Sequence, residues 1–217
     1  MRARRQLFEA FGSDRHSRPG HDDLDEKLQR YLPAHGTYLE AGANDGYTWS
    51  NTYYLERFKG WSGILVEGIP ELSEECRRTR PRSQVHNCAL VPPDFPDTHV
   101  TMTYGDLRSL IKGSQSELER RAADAGESGY EVEAVARTLD QVIGDTAVRT
   151  IDFMSLDLEG FEAHALRGLD FDRWGPTWLL VEVEGEERRG AVEAVLADRY
   201  EAAEALTAGD VLYRRRD

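Results

Sequence analysis

The chain has 217 residues, of which 27 are basic and 40 acidic, for a formal charge of −13, and 40% are hydrophobic. That length fits one core of ~100–200 residues, with or without an appendage, and the apolar content excludes wholesale disorder. The acidity argues against a duplex nucleic-acid binder, which clusters Lys and Arg against phosphates, and no run approaches the roughly 18 apolar residues of a membrane span.

Residues 1–20 carry five Arg, with Leu7, Phe8 and Phe11 as their large apolar groups, which predicts a loosely ordered arm. No apolar stretch follows the basic start, so no secretory signal is expected. Cys76 and Cys88 are too few for a disulfide scaffold or a cysteine-rich zinc site, and a reducing, cytoplasmic location follows as the expectation. Asp22 or Asp23 is positioned to cap a helix bearing Leu24, Leu28, Tyr31 and Leu32, which Pro33 ends. An arm and helix over 1–34 and a main domain over 35–217 are the expected division.

From there strands and helices alternate. Thr37 to Ala41 is a short buried strand ending in a glycine-rich turn, followed by a helix over Ser50 to Phe58 and a strand over Gly63 to Val66. Pro70 opens a helix through Arg78, where a proline suits the first turn. Ser83 to Leu90 and Thr98 to Tyr104 read as strands, 106–125 as a polar helical insert, and Tyr130 to Arg137 as another strand. The stretch 104–130 is a candidate lid over the site. A helix over Thr138 to Ile143, a strand over Ile151 to Leu156 and a helix over Phe161 to Leu169 come next. A strand over Trp178 to Val183, a helix over Glu187 to Leu196 and a hairpin over 199–206 and 210–214 complete the chain. Apolar strands alternating with helices predict an α/β fold with a mostly parallel sheet covered on both faces.

In such a sheet, ligands bind outside the carboxyl ends of the strands. The first strand ends in Glu40-Ala41-Gly42-Ala43-Asn44-Asp45-Gly46. Gly42 and Gly46 permit a tight turn and close approach of a ligand, and Glu40 supplies an acceptor for an ammonium group. The next strand ends in Glu67, where an acid can receive both hydroxyls of a ribose. The pair predicts a nucleoside-containing cofactor. A dinucleotide site would show G-x-G-x-x-G for its pyrophosphate. Gly42-x-x-x-Gly46 preceded by an acid, together with the closing hairpin, instead favours S-adenosylmethionine and methyl transfer.

The ordered motifs Tyr38-Leu39-Glu40-Ala41-Gly42-Ala43-Asn44-Asp45-Gly46, Ser50-Asn51-Thr52-Tyr53-Tyr54-Leu55-Glu56 and Gly60-Trp61-Ser62-Gly63-Ile64-Leu65-Val66-Glu67 resemble FkbM-type methyltransferases. Thr138-Leu139-Asp140, Ile151 through Glu162, Leu166-Arg167-Gly168-Leu169 and Pro176 through Glu182 continue the likeness, over about residues 35–185. One departure is Glu67-Gly68-Ile69-Pro70, where the family usually reads Glu-Pro-Asn-Pro. The resemblance implies a Rossmann-like class I methyltransferase fold with a mostly parallel seven-stranded sheet, an antiparallel C-terminal hairpin and an N-terminal helical appendage. It also implies that Glu40, Gly42, Asn44 and Gly46 line the methionine end of S-adenosylmethionine, with Ser50 and Asn51 near its carboxylate. Glu67 would hold the ribose, and Cys88 and Ala89 would flank the adenine. Family members act mostly on hydroxyls of sugars and secondary metabolites, which implies O-methylation of a small hydroxylated acceptor.

A sugar or alkyl hydroxyl is a poor nucleophile and needs a base or a metal to take its proton. Asp157 and Glu159 follow the apolar strand 151–156 at its carboxyl end and are the leading candidates, Asp157 also as a ligand of the cofactor amine. His164, one turn into the next helix, is a third candidate. With Glu182, the carboxylates Asp157 and Glu159 could hold Mg²⁺, a hard ion suited to oxygen ligands. The acidity of the chain favours a neutral or cationic small acceptor, with no nucleic-acid or membrane partner; the oligomeric state is left open. Rival readings are a catalytically silent cofactor-binding scaffold and a nicotinamide oxidoreductase.

Overall fold

A computed structural model describes residues 2–105, 108–111 and 130–216. Its seven-stranded sheet contains β1 (Thr37–Ala41), β2 (Ser62–Glu67), β3 (Gln84–Asn87), β8 (Phe153–Leu156), β9 (Trp178–Glu182), β10 (Tyr200–Ala205) and β11 (Asp210–Arg215). They run in the order β10-β11-β9-β8-β1-β2-β3. Every pair from β9 through β3 is parallel, while β11 lies antiparallel to both β9 and β10. This is the expected mostly parallel, seven-stranded Rossmann-like sheet with its closing hairpin. Strand order reverses direction between β1 and β8, which opens a crevice above their carboxyl ends.

Both faces are covered because consecutive strand residues point opposite ways. Leu39, Ile64, Met154 and Leu179 pack into one layer with α5 (Leu139–Gly144), α7 (Phe171–Trp174) and α8 (Glu186–Leu196). Their neighbours Tyr38, Leu65, Phe153 and Leu180 pack into the other, with Leu24, Leu28, Leu55 of α3 (Tyr53–Lys59) and Cys76 of α4 (Pro70–Thr79). Among the described residues, no helix is long and apolar enough to cross a membrane.

Four expectations change. Residues 1–20 do not fray: α1 (Arg2–Ala10) buries Arg5 and Glu9 against the body. Glu9 accepts from Ser17, Tyr53 and Arg57, and the Arg5 guanidinium lies 3.6 Å from the centre of the Tyr47 ring. The helix expected after Asp22 is instead a succession of short turns around α2 (Leu24–Lys27), with Asp22 and Asp23 both at positive φ and no side-chain cap from Asp23. Ser83 to Leu90 divides at Cys88. Its first part is β3, and β4 (Ala89–Leu90) joins a second, four-stranded sheet of order β4-β7-β5-β6. That sheet comprises β5 (His99–Gly105), β6 (Arg108–Ile111) and β7 (Tyr130–Arg137). Residues 108–111, expected within a helix, pair antiparallel with β5. The remainder of the expected lid, 106–107 and 112–129, lies outside the described residues.

Candidate active site

The turn after β1 is built around one close approach. Gly42 has φ +80° and its amide, with that of Ala43, donates to the Val66 carbonyl at the end of β2. A Cβ on Gly42 would lie 2.0 Å from the Asp157 carbonyl oxygen, so only glycine lets the segment after β8 cross this turn. Gly46 is also left-handed, but a Cβ there would meet Arg80 and Cys76, on the far side from the cleft.

Glu40 is buried and already saturated. It accepts from Ser50 Oγ at 2.8 Å, the Asn51 amide at 2.7 Å and Thr52 Oγ1 at 2.6 Å, and Arg80 stands 3.6 Å away. Arg80 itself, 1% exposed, donates to Glu56, Ser50, Tyr38, Thr52 and the Gly46 carbonyl. This hub fixes the loop 46–52 to α3 and α4. Burial raises the Glu56 carboxyl, but Arg80 and the hydroxyls of Ser83 and Tyr38 outweigh it and hold the group below its ordinary range.

A cleft of about 380 Å³ opens at the carboxyl ends of β2, β1, β8 and β9, within the range of roughly 300–1,000 Å³ usual for small-molecule sites. It is lined by Glu40, Gly42, Asn44, Asn51, Glu67, Cys88, Ala89, Asp157, Glu159 and Glu182, which the sequence singles out. Gly46, Ser50 and His164 are not among its lining residues. Ser50 is buried beneath the loop as a partner of Glu40 and Arg80. His164 is exposed on α6 (Glu162–Leu166), its ring stacked on Phe161 at 4.4 Å, and so stands outside the cleft instead of serving as its base.

Glu67 is 6% exposed and accepts from the amides of Asn44 and Ile69, each at 2.8 Å. Burial outweighs those bonds and pushes its pKa up to about 7. Beside it, the Gly68 departure has a physical reason: a Cβ at 68 would lie 2.5 Å from the sulfur of Met102, which β5 brings into the cleft wall. Cys88 is buried in that wall with its thiol pushed up to about 11 by burial, so it is a packing group and not a nucleophile.

Across the cleft, Asp157 and Glu182 stand side by side at the carboxyl ends of the paired strands β8 and β9. Burial first and the Glu182 charge second raise Asp157 well above the ordinary range, and burial raises Glu182 also. Two carboxyls this close disfavour each other's ionisation. Glu159 sits at φ +53° in the loop that follows, and Glu162, missed in the sequence, clamps that loop by accepting from the amides of Leu158 and Gly160. Among the described residues, no three His, Cys, Asp or Glu side chains converge to hold a metal ion. With two adjacent carboxyls and no third ligand converging on them among the described residues, the site falls short of a Mg²⁺ centre.

S-adenosylmethionine does fit. Gly42 lets the turn after β1 close tightly beneath the segment after β8, Glu67 offers carboxylate oxygens at the β2 end, and Cys88 and Ala89 wall the cleft beside it. The sequence reading missed His21, Trp49, Met102 and Asp210, which also line the cleft. They come from the N-terminal segment, the turn before α3, the second sheet and the hairpin, and no local motif marks them.

The model of the methyltransferase FkbM domain matches residues 40–204. Among solved structures, the chain is similar to an O-methyltransferase from Bacillus cereus in complex with S-adenosylhomocysteine, with TM-score 0.52 and 12% identity over 99% of this chain and 90% of that one. It is also similar to a methyltransferase FkbM from Methylobacillus flagellatus KT, with TM-score 0.51 and 14% identity, covering 97% of this chain but 59% of that one. A search of curated proteins returned no match. These two structures share the fold, and the domain match extends over most of the sequence, which sets aside the nicotinamide oxidoreductase reading. The chain belongs to the FkbM family of methyltransferases.

Proposed function

We propose that the chain transfers a methyl group from S-adenosylmethionine to a hydroxyl of a small molecule. When bound, that cofactor supplies an electrophilic methyl on a sulfonium sulfur. Glu67 receives the ribose hydroxyls, the turn at Gly42 borders the methionine end, and Cys88, Ala89 and Met102 wall the adenine. Glu40, engaged by three hydrogen-bond donors and by Arg80 at 3.6 Å, supports the turn beneath the methionine end. The S-adenosylhomocysteine named with the Bacillus cereus structure supports this choice of cofactor.

The carrying observation is the Asp157–Glu182 carboxyl pair in the cleft lining at the ends of the adjacent strands β8 and β9. The neighbouring Glu182 charge helps to hold the Asp157 carboxyl well above its ordinary range, and Glu182 presents its own carboxylate to the cleft. Glu182 takes the acceptor's hydroxyl proton as the oxygen–methyl bond forms and the methyl–sulfur bond breaks. The proton ends on the carboxyl pair and S-adenosylhomocysteine leaves. A half-buried carboxyl held above its ordinary range is a better proton acceptor for this work, a contribution worth ~10²–10⁴ in rate.

Incubation with S-adenosylmethionine and a panel of hydroxylated acceptors, with products mapped by NMR, tests the reading. An O-methyl product whose formation falls at least a hundredfold in Asp157→Asn and Glu182→Gln supports it. A methylated nitrogen, or turnover indifferent to both substitutions, contradicts it.

A further inference from the structure

The two ends of the cleft differ in character. The wall toward β2 and β3 is apolar, formed by Val66, Leu72, Cys88, Ala89 and Met102. The wall toward β8, β9 and β11 carries Asp157, Glu182, Glu184 and Asp210. Glu182 and Asp210 face each other across adjacent strands, and the charges of Asp210 and Glu184 both bear on Glu182. Among the described residues, no arginine or lysine lines the cleft, and His21 is its one basic side chain. Glu40, by contrast, has Arg80 beneath it. The cofactor brings a single net positive charge, less than Glu67 and the Asp157–Glu182 pair supply together. Glu184 and Asp210 add to that excess, Asp210 while accepting from Thr207 and lying near the charges of His21 and Lys27.

Two further observations at this end point to a ligand with donors and a ring. Asn51, 8% exposed, lines the cleft, donates through Nδ2 to Ser155 Oγ on β8, and leaves Oδ1 without a partner. Trp49, 44% exposed, presents its indole to the cleft, edge-on to His21 at 5.9 Å between ring centres. His21 is itself close enough for its charge to bear on Asp210, so Trp49, His21, Asp210, Glu182 and Asp157 form one continuous wall. An indole face attracts both cations and the C–H face of a saturated ring. Carboxylates beside it repel phosphorylated or carboxylated acceptors.

We propose that this wall is the acceptor subsite and that it takes an amino sugar. The ring lies on Trp49, the ammonium sits between Glu184 and Asp210, and the hydroxyl to be methylated reaches Asp157 and Glu182. This rests on the O-methyltransferase reading. It also explains why oxygen would be chosen over nitrogen: an amine among carboxylates stays protonated and has no lone pair to attack with.

The test uses the full chain saturated with S-adenosylhomocysteine, titrated calorimetrically with the β-1,4-linked glucosamine disaccharide and with its N,N′-diacetyl form, which has the same skeleton without the charges. The amine form is expected to bind at least tenfold more tightly. Glu184→Gln combined with Asp210→Asn should erase that difference, and Trp49→Leu should weaken both sugars, with S-adenosylhomocysteine affinity unchanged in all variants. Equal or weaker binding of the amine form, or no binding of either sugar, overturns the proposal. So does a preference that disappears when Mg²⁺ is supplied, since the wall would then be a cation site. Failure of the wild type to bind S-adenosylhomocysteine would instead undermine the methyltransferase reading itself.

Discussion

Glu67 titrates where it matters. Its carboxyl, walled in at the end of β2, is pushed up to about 7, against an ordinary value near 4.5. Ribose hydroxyls donate to a carboxylate, so the cofactor selects the ionised form. The ionised fraction in the free protein falls from about 0.9 at pH 8 to about 0.1 at pH 6, and apparent affinity scales with that fraction. S-adenosylhomocysteine is therefore expected to bind about tenfold more weakly at pH 6 than at pH 8, releasing protons as it binds near pH 7. Calorimetry in two buffers of different ionisation enthalpy reads both quantities. Glu67→Gln should flatten the pH dependence. At pH 8 it should also weaken binding roughly ten- to hundredfold, from the loss of charge-assisted bonds worth about 1.5–3 kcal/mol. Stability moves the other way. A carboxyl whose folded pKa is raised binds its proton more tightly when native, so its stabilisation is lost as pH rises from about 4.5 through about 7. Relative to the wild type, ligand-free Glu67→Gln should therefore gain stability between pH 5 and pH 8. Unchanged affinity in Glu67→Gln, or a flat wild-type profile from pH 6 to 8, would refute the ribose role.

Arg80→Met leaves Glu56 and Glu40 buried without their cation and should cost about 3–5 kcal/mol, read as a fall in denaturant midpoint. Gly42→Ala pushes a methyl onto the Asp157 carbonyl from a left-handed backbone and should abolish S-adenosylhomocysteine binding in calorimetry. Asp157→Asn keeps a donor toward Glu182 while removing a like charge. A carboxyl raised in the folded state loses its stabilisation as pH rises above its ordinary value near 3.8, so the variant's Tm relative to wild type should increase with pH from there. Turnover of the same variant should fall at every pH.

The sheet was legible because its strands are short apolar runs bounded by turns, and Gly42 and Glu67 fall at the ends of two such runs. Asp157 was legible for the same reason at the end of β8. What escaped depends on contacts between distant segments. The strands Thr98 to Tyr104 and Tyr130 to Arg137 alternate visibly, yet nothing local says that they pair with each other and with Ala89–Leu90 in a separate sheet. The break at Cys88 lacks a glycine or proline to announce it. Arg80 follows a helix and reads as a solvated terminus, but it is the buried hub beneath the cofactor turn. Glu40 looks like a free acceptor in sequence because Ser50, Asn51 and Thr52 reach it only after the loop folds back. His21, Trp49 and Asp210 meet only because α2, the turn before α3 and the hairpin surround the same strand ends.

The most direct measurement is a crystal structure with S-adenosylhomocysteine, inspected at the vacated methyl position. The expected result has the ribose hydroxyls on Glu67, the adenine against Cys88, Ala89 and Met102, and the homocysteine sulfur turned toward Asp157 and Glu182. A nucleoside seated over Asp157, or a sulfur facing away from the carboxyl pair, would contradict it.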